Sequence, residues 1–192
     1  MEINKLEIEN FKLFAKQEFT FNSKFNLVVG INGSGKTSLL RAIAVALGGW
    51  AHAYIKDKNN LRPILGSEIR EIQIDNRFDK SKRTSIAASG IALVVNRFEN
   101  KRKAKVGWRR VREDGNKETI TSAGIEYESQ TSSGYSIPYQ LNFNNLAWDI
   151  LNFIEKGNTF DLPLIAFYEC NRLWLAKNKL NIDASAKAQY SR

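Results

Sequence analysis

The stretch Gly30-Ile31-Asn32-Gly33-Ser34-Gly35-Lys36-Thr37 decides how this sequence is interpreted. It fits the pattern G-x-x-x-x-G-K-[ST], a phosphate-binding loop that lies between a strand and a helix. The apolar run Phe25–Val29 precedes the loop and predicts a buried strand. After the loop, apolar residues recur at helical spacing, and Gly48-Gly49 predicts the end of that helix. Strand, loop and helix therefore follow one another in the order that the pattern requires.

The residue types in this loop indicate its chemistry. Glycines let successive backbone N–H groups turn toward an anion, and the N-terminus of the next helix adds further donors. We expect Lys36 to reach the β- and γ-phosphates of a nucleotide, as the one catalytic candidate, and the Thr37 hydroxyl to bind Mg²⁺. The predicted cofactor-binding residues of the loop are Gly30, Asn32, Gly33, Ser34, Gly35, Lys36, Thr37 and Ser38. The alternative is a glycine-rich turn that only caps a helix.

Length and composition limit the possibilities. The 192 residues predict one domain, or one lobe of a larger one. The net charge of +9 favours polyanionic partners more than a nucleotide site alone requires. The single cysteine excludes an internal disulfide framework. No signal-peptide pattern and no run of about 18 apolar residues is present, so we expect a cytoplasmic protein without a membrane span.

Other segments predict an α/β organisation. The two strands that come before the phosphate loop are predicted at 3–10 and 19–21, antiparallel to each other. In chain order, the remaining predicted elements are a strand around 68–75, a mobile loop at 77–90, strands at 91–98, 104–112 and 117–121, a loop at 122–137, a helix that starts at Asn144 or Asn145 and ends at Gly157, and a buried strand at 162–168.

A basic segment lies within the predicted meander at 91–121. Between Asn96 and Lys117 there are nine basic residues against three acidic ones. On a hairpin, Trp108, Arg110 and Arg112 would share one face, because alternate residues of a strand do so. Such a ribbon could follow a phosphate backbone, or it could be a charged edge that prevents aggregation. The candidate nucleic-acid contacts are Lys101, Arg102, Lys103, Arg109, Arg110 and Arg112.

The first fifty residues resemble the N-terminal lobe of ABC-type ATPases of the SMC, Rad50 and RecF group. The matching pieces are Ile8-Glu9-Asn10-Phe11-Lys12, the phosphate loop with its strand, and Ala42-Ile43-Ala44. The resemblance implies a P-loop NTPase fold with an antiparallel β layer beside a parallel core sheet. It implies that 1–172 form an ATP-binding lobe and that 173–192 form a polar tail leading to an insertion or a second half.

The resemblance also implies cofactors and partners. ATP and Mg²⁺ would bind at the loop, and Lys12 would lie near the nucleotide phosphates. A second ATPase head, in a homodimer of the full-length protein, would complete the site. The segment Leu162–Tyr168 with Asn171-Arg172-Leu173-Trp174 is similar to a narrower set, the bacterial AAA-annotated ATPases of the Septu and retron-associated defence type. That similarity implies a nuclease partner, and the wider resemblance implies DNA as a partner in a DNA-linked process such as phage defence or repair.

Parts of such a head are absent from the sequence. There is no LSGGQ-like signature and no strand that ends in Asp-Glu; Ser132-Ser133-Gly134 imitates only part of a signature, and the strand at 162–168 is followed by Glu169-Cys170. We therefore expect an ATP-binding lobe that binds ATP without efficient turnover, with hydrolysis requiring the C-terminal half and a second head. The alternatives are a self-contained small kinase-like enzyme and a basic nucleic-acid-binding module that senses nucleotide.

Overall fold

The computed structural model of the protein describes residues 1–51, 62–74, 77–80, 83–95, 101–113, 118–124 and 143–168. In chain order the elements are β1 (Glu2–Phe11), β2 (Phe14–Thr20), α1 (Lys36–Ala51), a 3₁₀ helix (Gly66–Glu68), β3 (Glu71–Ile74), β4 (Arg77–Lys80), β5 (Arg83–Val95), β6 (Lys101–Glu113), β7 (Ile120–Gly124) and α2 (Phe143–Glu155). Five strands form one sheet in the order β2-β1-β5-β6-β7, and β3 and β4 form a separate hairpin. All of these neighbouring strands are antiparallel.

The sheet has one buried face, which follows from the alternation of side chains along its strands. Leu6 of β1 is the partner of Ala88 of β5, and Ala88 is the partner of Trp108 of β6. All three are buried. Helix α1 covers this face, and the indole Nε1 of Trp108 donates a hydrogen bond of 2.7 Å to the carbonyl oxygen of Ala46. The core therefore lies between α1 and the even-numbered residues of the central strands.

The prediction that α1 ends at Gly48-Gly49 is wrong, because the helix continues to Ala51. Both glycines are buried against the sheet. A Cβ on Gly49 would lie 2.6 Å from Cδ of Arg110 and 2.8 Å from Cδ1 of Trp108. The two glycines thus provide room for large side chains of β6 and do not terminate the helix.

Neither of the two predicted buried core strands is a strand in the described structure. Residues 25–29 and 162–168 have no ladder partner among the described residues. Most of their apolar side chains are exposed, with Leu27 74% and Leu164 97% accessible, whereas Val28 and Ile165 are partly buried against the core. An isolated extended segment cannot satisfy its backbone groups in a ladder or cover both of its faces. The parallel core sheet that the resemblance implies is therefore not formed by the residues that the structure describes.

The polar segment 77–90 is predicted to be a mobile loop, but residues 77–80 form β4 and residues 83–90 form the first part of β5. Thr84 is fully buried, and its hydroxyl donates a hydrogen bond of 3.0 Å to the carbonyl oxygen of Asn10. Small and polar side chains can occupy a central strand when neighbouring strands provide their hydrogen-bond partners. The polar composition of this segment therefore did not indicate a strand. Segment 91–98 supplies the end of β5, as far as Val95.

The other predicted elements have clear outcomes. The structure confirms the strands at 3–10 and 104–112 and the second helix, as β1, β6 and α2. The second strand and its antiparallel pairing with β1 are also confirmed, but β2 begins earlier than predicted, at Phe14, and ends at Thr20. The strands predicted around 68–75 and 117–121 are shorter or shifted, and appear as β3 and β7. Of the predicted loop at 122–137, residues 122–124 belong to β7 and the remainder lies outside the described residues, as do 173–192. None of the described helices is both long and apolar enough to cross a membrane.

Candidate phosphate-binding site

The phosphate loop has the backbone geometry that its glycines permit. Gly33 and Gly35 have φ angles of 82° and 96°, in the left-handed region that glycine adopts without strain. The N–H of Ser34 donates to the carbonyl oxygen of Ile31 at 3.3 Å, and the N–H of Leu39 donates to Gly35 at 2.8 Å. Helix α1 begins at Lys36, directly after the loop. The unpaired N–H groups of its first turn are therefore available beside the loop.

Lys36 folds back over the loop that it follows. Its Nζ donates hydrogen bonds of 2.7 Å to the carbonyl oxygens of both Gly30 and Ile31. The side chain therefore closes the loop and places a positive charge at its mouth. A Cβ on Gly33 would meet nothing within 4 Å, so the space beside this glycine is open.

The residues present fit a nucleotide-bound Mg²⁺. Thr37 is exposed in the first turn of α1, where its hydroxyl oxygen can act as one hard ligand, whereas Ser38 is buried. Mg²⁺ takes few ligands from a protein and fills its octahedron with phosphate oxygens and water. Within the described ranges, no three His, Cys, Asp or Glu side chains converge as a metal site. Thr37, which the sequence predicts as a protein ligand of Mg²⁺, is therefore accessible to the ion.

The tip of the β1–β2 hairpin forms a wall against the loop, a contact that the sequence analysis missed. A Cβ on Gly35 would lie 2.9 Å from Cζ of Phe14 and 3.1 Å from Cδ2 of Leu13. Gly35 therefore serves two purposes, because it supplies the positive φ and it allows the hairpin to approach. Lys12 and Leu13 form the two-residue turn of this hairpin, and neither is a residue type that marks such a turn, so the sequence did not locate the tip.

Lys12, at that tip, is held by the chain that follows α1. Its φ is 52°, its N–H donates to the carbonyl oxygen of Glu68 at 2.7 Å, and its Nζ donates to that of Ser67 at 3.3 Å. The guanidinium of Arg70 donates to the carbonyl oxygen of Leu13. These bonds place Lys12 one residue from the contact with Gly35. Lys12 is thus positioned near the loop, although its ammonium group bonds to Ser67 and not to the loop.

A buried ion pair fixes the segment that holds the tip. The Glu68 carboxylate is fully buried and accepts hydrogen bonds from both terminal nitrogens of Arg62, at 3.1 and 2.6 Å. It also accepts one from the N–H of Leu65 at 3.0 Å. A buried carboxylate with three donors is compensated, so the 3₁₀ turn has one defined position. Because this turn bonds to Lys12, and the neighbouring Leu13 contacts Gly35, the ion pair also helps to fix the hairpin tip against the phosphate loop.

The candidate nucleic-acid contacts do not all lie on one surface. The prediction that Trp108, Arg110 and Arg112 share a face is confirmed, but this is the face that packs on α1. Arg110 is 2% exposed, and Nη1 of Arg112 donates to the carbonyl oxygen of Ile64 at 2.6 Å. A bound nucleic acid could not reach Arg110 on this face.

The opposite face of β6 carries the accessible cations. Lys101 and Lys103 are exposed, and the side chain of Arg109 is 44% exposed. The Nζ of Lys101 lies 5.6 Å from the centre of the Phe153 ring, over which it makes a cation–π contact. The Arg102 side chain is not among those that the structure describes.

The comparisons with known proteins concern the family of the chain. Residues 5–190 match the AAA domain family. Residues of this chain are 34% identical over 86 positions to a DNA replication and repair protein RecF of Clostridioides difficile, covering 45% of this chain and 22% of that protein. A DNA double-strand break repair Rad50 ATPase of Nanoarchaeum equitans is 42% identical over 55 residues, which are 29% of this chain and 7% of that protein. A RecF of Actinobacillus succinogenes is 54% identical over 43 residues, 22% of this chain and 12% of its own length.

The chain is an AAA-type α/β domain, in which a phosphate loop lies at the start of a helix and an antiparallel sheet lies beside it. The chain belongs to the AAA domain family. Its resemblance to the N-terminal lobe of SMC, Rad50 and RecF-type ATPases is confirmed by these matches. The chain matches 22% or less of the length of these three relatives.

Proposed function

We propose that this chain is the ATP-binding lobe of an ATPase that acts in a DNA-linked process such as repair. The observation that carries the proposal is the phosphate loop itself, in which Lys36 closes over Gly30 and Ile31 at the start of α1. The named RecF and Rad50 relatives support the DNA link. The narrower reading, a defence ATPase with a nuclease partner, stays a prediction.

We propose a division of roles within the loop. The backbone N–H groups around Gly33 and Gly35 bind phosphate oxygens, and Lys36 leaves the two carbonyl oxygens to bind the β- and γ-phosphates. The Thr37 hydroxyl would hold Mg²⁺, which would supply positive charge beside the phosphates. Lys12 lies at the hairpin tip beside Gly35 and adds positive charge at the edge of the site.

We propose further that the fold is a P-loop NTPase in which 25–29 and 162–168 become strands of a parallel core sheet. Phe25, Leu27, Val29 and Ile31 are all exposed, at alternating positions of one extended segment. Leu164, in the second segment, is nearly fully exposed, while its neighbour Ile165 packs against the core. Such surfaces are stable when another strand covers them. A C-terminal half of the protein would supply that strand together with the Asp-Glu pair that this sequence lacks. A second head would supply the LSGGQ-like signature.

The experiment is a calorimetric titration of the protein with a non-hydrolysable ATP analogue. Lys36→Ala should weaken binding roughly tenfold to hundredfold, because a charge-assisted contact contributes about 1.5–3 kcal/mol. Lys16→Ala, which removes an exposed lysine of β2, is the matched control and should bind as the wild type does. Wild-type affinity in Lys36→Ala would contradict the site.

A second measurement separates this proposal from its alternatives. Steady-state phosphate release from the 192-residue chain should be far below one turnover per second, with Lys36→Ala as the control for contaminants. Turnover of about 1 per second that Lys36→Ala abolishes would favour a self-contained kinase-like enzyme. DNA binding that is indifferent to ATP would favour a nucleic-acid module that senses nucleotide.

A further inference from the structure

A short segment holds the tip of the β1–β2 hairpin by its backbone. We call residues 62–70 the strap; it contains the 3₁₀ helix and ends just before β3. The N–H of Arg70 donates to the carbonyl oxygen of Asn10 at 3.0 Å, and the N–H of Lys12 donates to that of Glu68 at 2.7 Å. One bond runs from the strap to the tip and the other from the tip to the strap. Together they fix both sides of the tip.

The tip needs this support because its backbone is strained. Asn10 and Lys12 both have φ angles of 52°, in the left-handed region that residues with a Cβ adopt rarely. Phe11, which lies between them, is fully buried and forms an antiparallel bridge with Ile69 of the strap. Strained backbone persists only where the surrounding contacts hold it. The conformation of the tip therefore depends on the position of the strap.

Glu68 connects the anchor of the strap to the tip. Its buried carboxylate accepts hydrogen bonds from both terminal nitrogens of Arg62 and from the N–H of Leu65. Its carbonyl oxygen accepts the bond from Lys12. Loss of the negative charge would leave the Arg62 guanidinium without this partner, and breaking a buried pair is strongly destabilising. The strap would then lose its defined position beside the tip.

The phosphate loop rests on the tip in turn. Residues 30–34 of the loop are exposed. Gly35 lies against the hairpin, because side-chain atoms of Leu13 and Phe14 lie within 3.2 Å of its ideal Cβ position. A loop that is already held in its binding conformation loses less freedom when a ligand binds. The contact at Gly35 therefore affects how tightly the loop can bind phosphate.

We propose that Glu68 is a positioning residue for nucleotide binding, which sets the affinity of the phosphate loop through the strap and the hairpin tip. The proposal rests on the proposed function, since it concerns the same nucleotide site. Glu68 does not itself contact the nucleotide, because its carboxylate is fully buried and bonds within the strap. Its effect passes through its carbonyl oxygen to Lys12, and from the adjacent Leu13 to Gly35.

The charge of Glu68 gives the test a definite sign. Glu68→Gln keeps the size of the side chain and removes one negative charge. Near a polyanionic ligand, that change alone strengthens binding or leaves it unchanged. Displacement of the tip weakens binding. A loss of nucleotide affinity in Glu68→Gln therefore reports a change of position and not of electrostatic field.

The test is a calorimetric titration of the whole chain with a non-hydrolysable ATP analogue. Glu68→Gln should weaken binding about tenfold, as for a typical coupling between linked sites. Leu13→Ala should also weaken binding, and Glu68→Gln should add little in the Leu13→Ala background, because both changes act at one contact. If Glu68→Gln does not fold, Arg62→Lys replaces it, since this variant keeps the charge but loses the two-pronged bond and should weaken binding in the same direction.

Val94→Ala is the matched control for a loss of stability. Val94 is fully buried, near the end of β5 opposite to Thr84, whose hydroxyl donates to Asn10. This variant should be less stable than the wild type and should keep wild-type nucleotide affinity.

Hydrogen exchange of the nucleotide-free protein follows the same path without a ligand. The bonded amides of Lys12 and Ser34 should exchange faster in Glu68→Gln than in the wild type, and Val94→Ala should leave them unchanged. Wild-type affinity in Glu68→Gln, or additive effects of Glu68→Gln and Leu13→Ala on affinity, overturn the positioning role and leave the nucleotide site intact. A wild-type protein that binds no nucleotide overturns the proposed function and the role of Glu68 together.

Discussion

Cδ of Arg110 lies 2.6 Å from the position that a Cβ on Gly49 would occupy. A second glycine, Gly48, faces the guanidinium of the same arginine, with Nη1 2.9 Å from its own ideal Cβ position. The consecutive glycines of α1 and the inward arginine of β6 therefore form one packing unit. This unit determines how closely the helix that carries the phosphate loop approaches the sheet.

Gly49→Ala should destabilise the protein although alanine is the better helix former. Alanine gains about 1 kcal/mol of helix propensity, whereas overpacking of a buried contact costs about 1–3 kcal/mol. Denaturant unfolding measures the balance. Combining Gly49→Ala with Arg110→Ala should recover at least about 1 kcal/mol relative to the sum of the two single changes. Additive single effects would contradict the packing unit.

Arg110→Met should stabilise the protein by about 1–3 kcal/mol, because it removes a buried charge that has no counter-ion among the described residues. Within the part of the chain that the structure describes, Nε and Nη1 of Arg110 are buried without a hydrogen-bond partner, and burial lowers the pKa of Arg110 to about 10. Thermal unfolding at neutral pH measures the effect. Arg109→Met, which changes the exposed neighbour, is the control and should have little effect. A large loss of stability in Arg110→Met would mean that the guanidinium has a stabilising partner.

Local patterns in the sequence predicted the phosphate loop and its helix, but not the burial of the basic ribbon. Glycine spacing and Lys36 lie within eight residues, so their chemistry is readable without the fold. Alternation showed that Trp108 and Arg110 share a face of β6. It could not show which face is covered, because Gly48 and Gly49 of a distant helix make the space for them.

Two further failures have the same non-local origin. The apolar segment 25–29 predicts a buried strand, but a strand forms where a neighbour satisfies its backbone, and no described residue pairs with it. In contrast, the polar start of β5 is a strand because β1 and β6 lie on either side of it. Thr84 and Ser85 are buried there although their side chains are polar.

The ion pairs of Lys5 should make stability depend on pH in the acidic range. Hydrogen bonding to Lys5 is the main cause that lowers the pKa of Glu7 below its ordinary value. A carboxylate with a depressed folded pKa contributes stability above its unfolded pKa, near pH 4.5, and loses that contribution as the pH falls through the folded value. Lys5→Ala should therefore destabilise the protein more at pH 6 than at pH 3, measured by urea unfolding. An equal difference at both pH values would contradict the pairing. Lys24→Ala, which removes an exposed lysine that is not among the groups acting on Glu7, serves as the control.

Gly35→Ala should weaken the phosphate loop more than Gly33→Ala does, although both positions have positive φ. An L-residue in that conformation costs about 1–2 kcal/mol at either position. At Gly33 a Cβ has open space, whereas at Gly35 it would lie within 3.2 Å of Phe14 and Leu13, so the hairpin tip must move. We expect Gly35→Ala to be the less stable of the two variants by about 1–3 kcal/mol, as for an overpacked contact, in unfolding experiments without nucleotide. Leu13→Ala in the Gly35→Ala background should recover part of that difference, and the same change in the Gly33→Ala background should not. Equal stabilities of the two glycine variants would show that the hairpin tip does not rest on the loop.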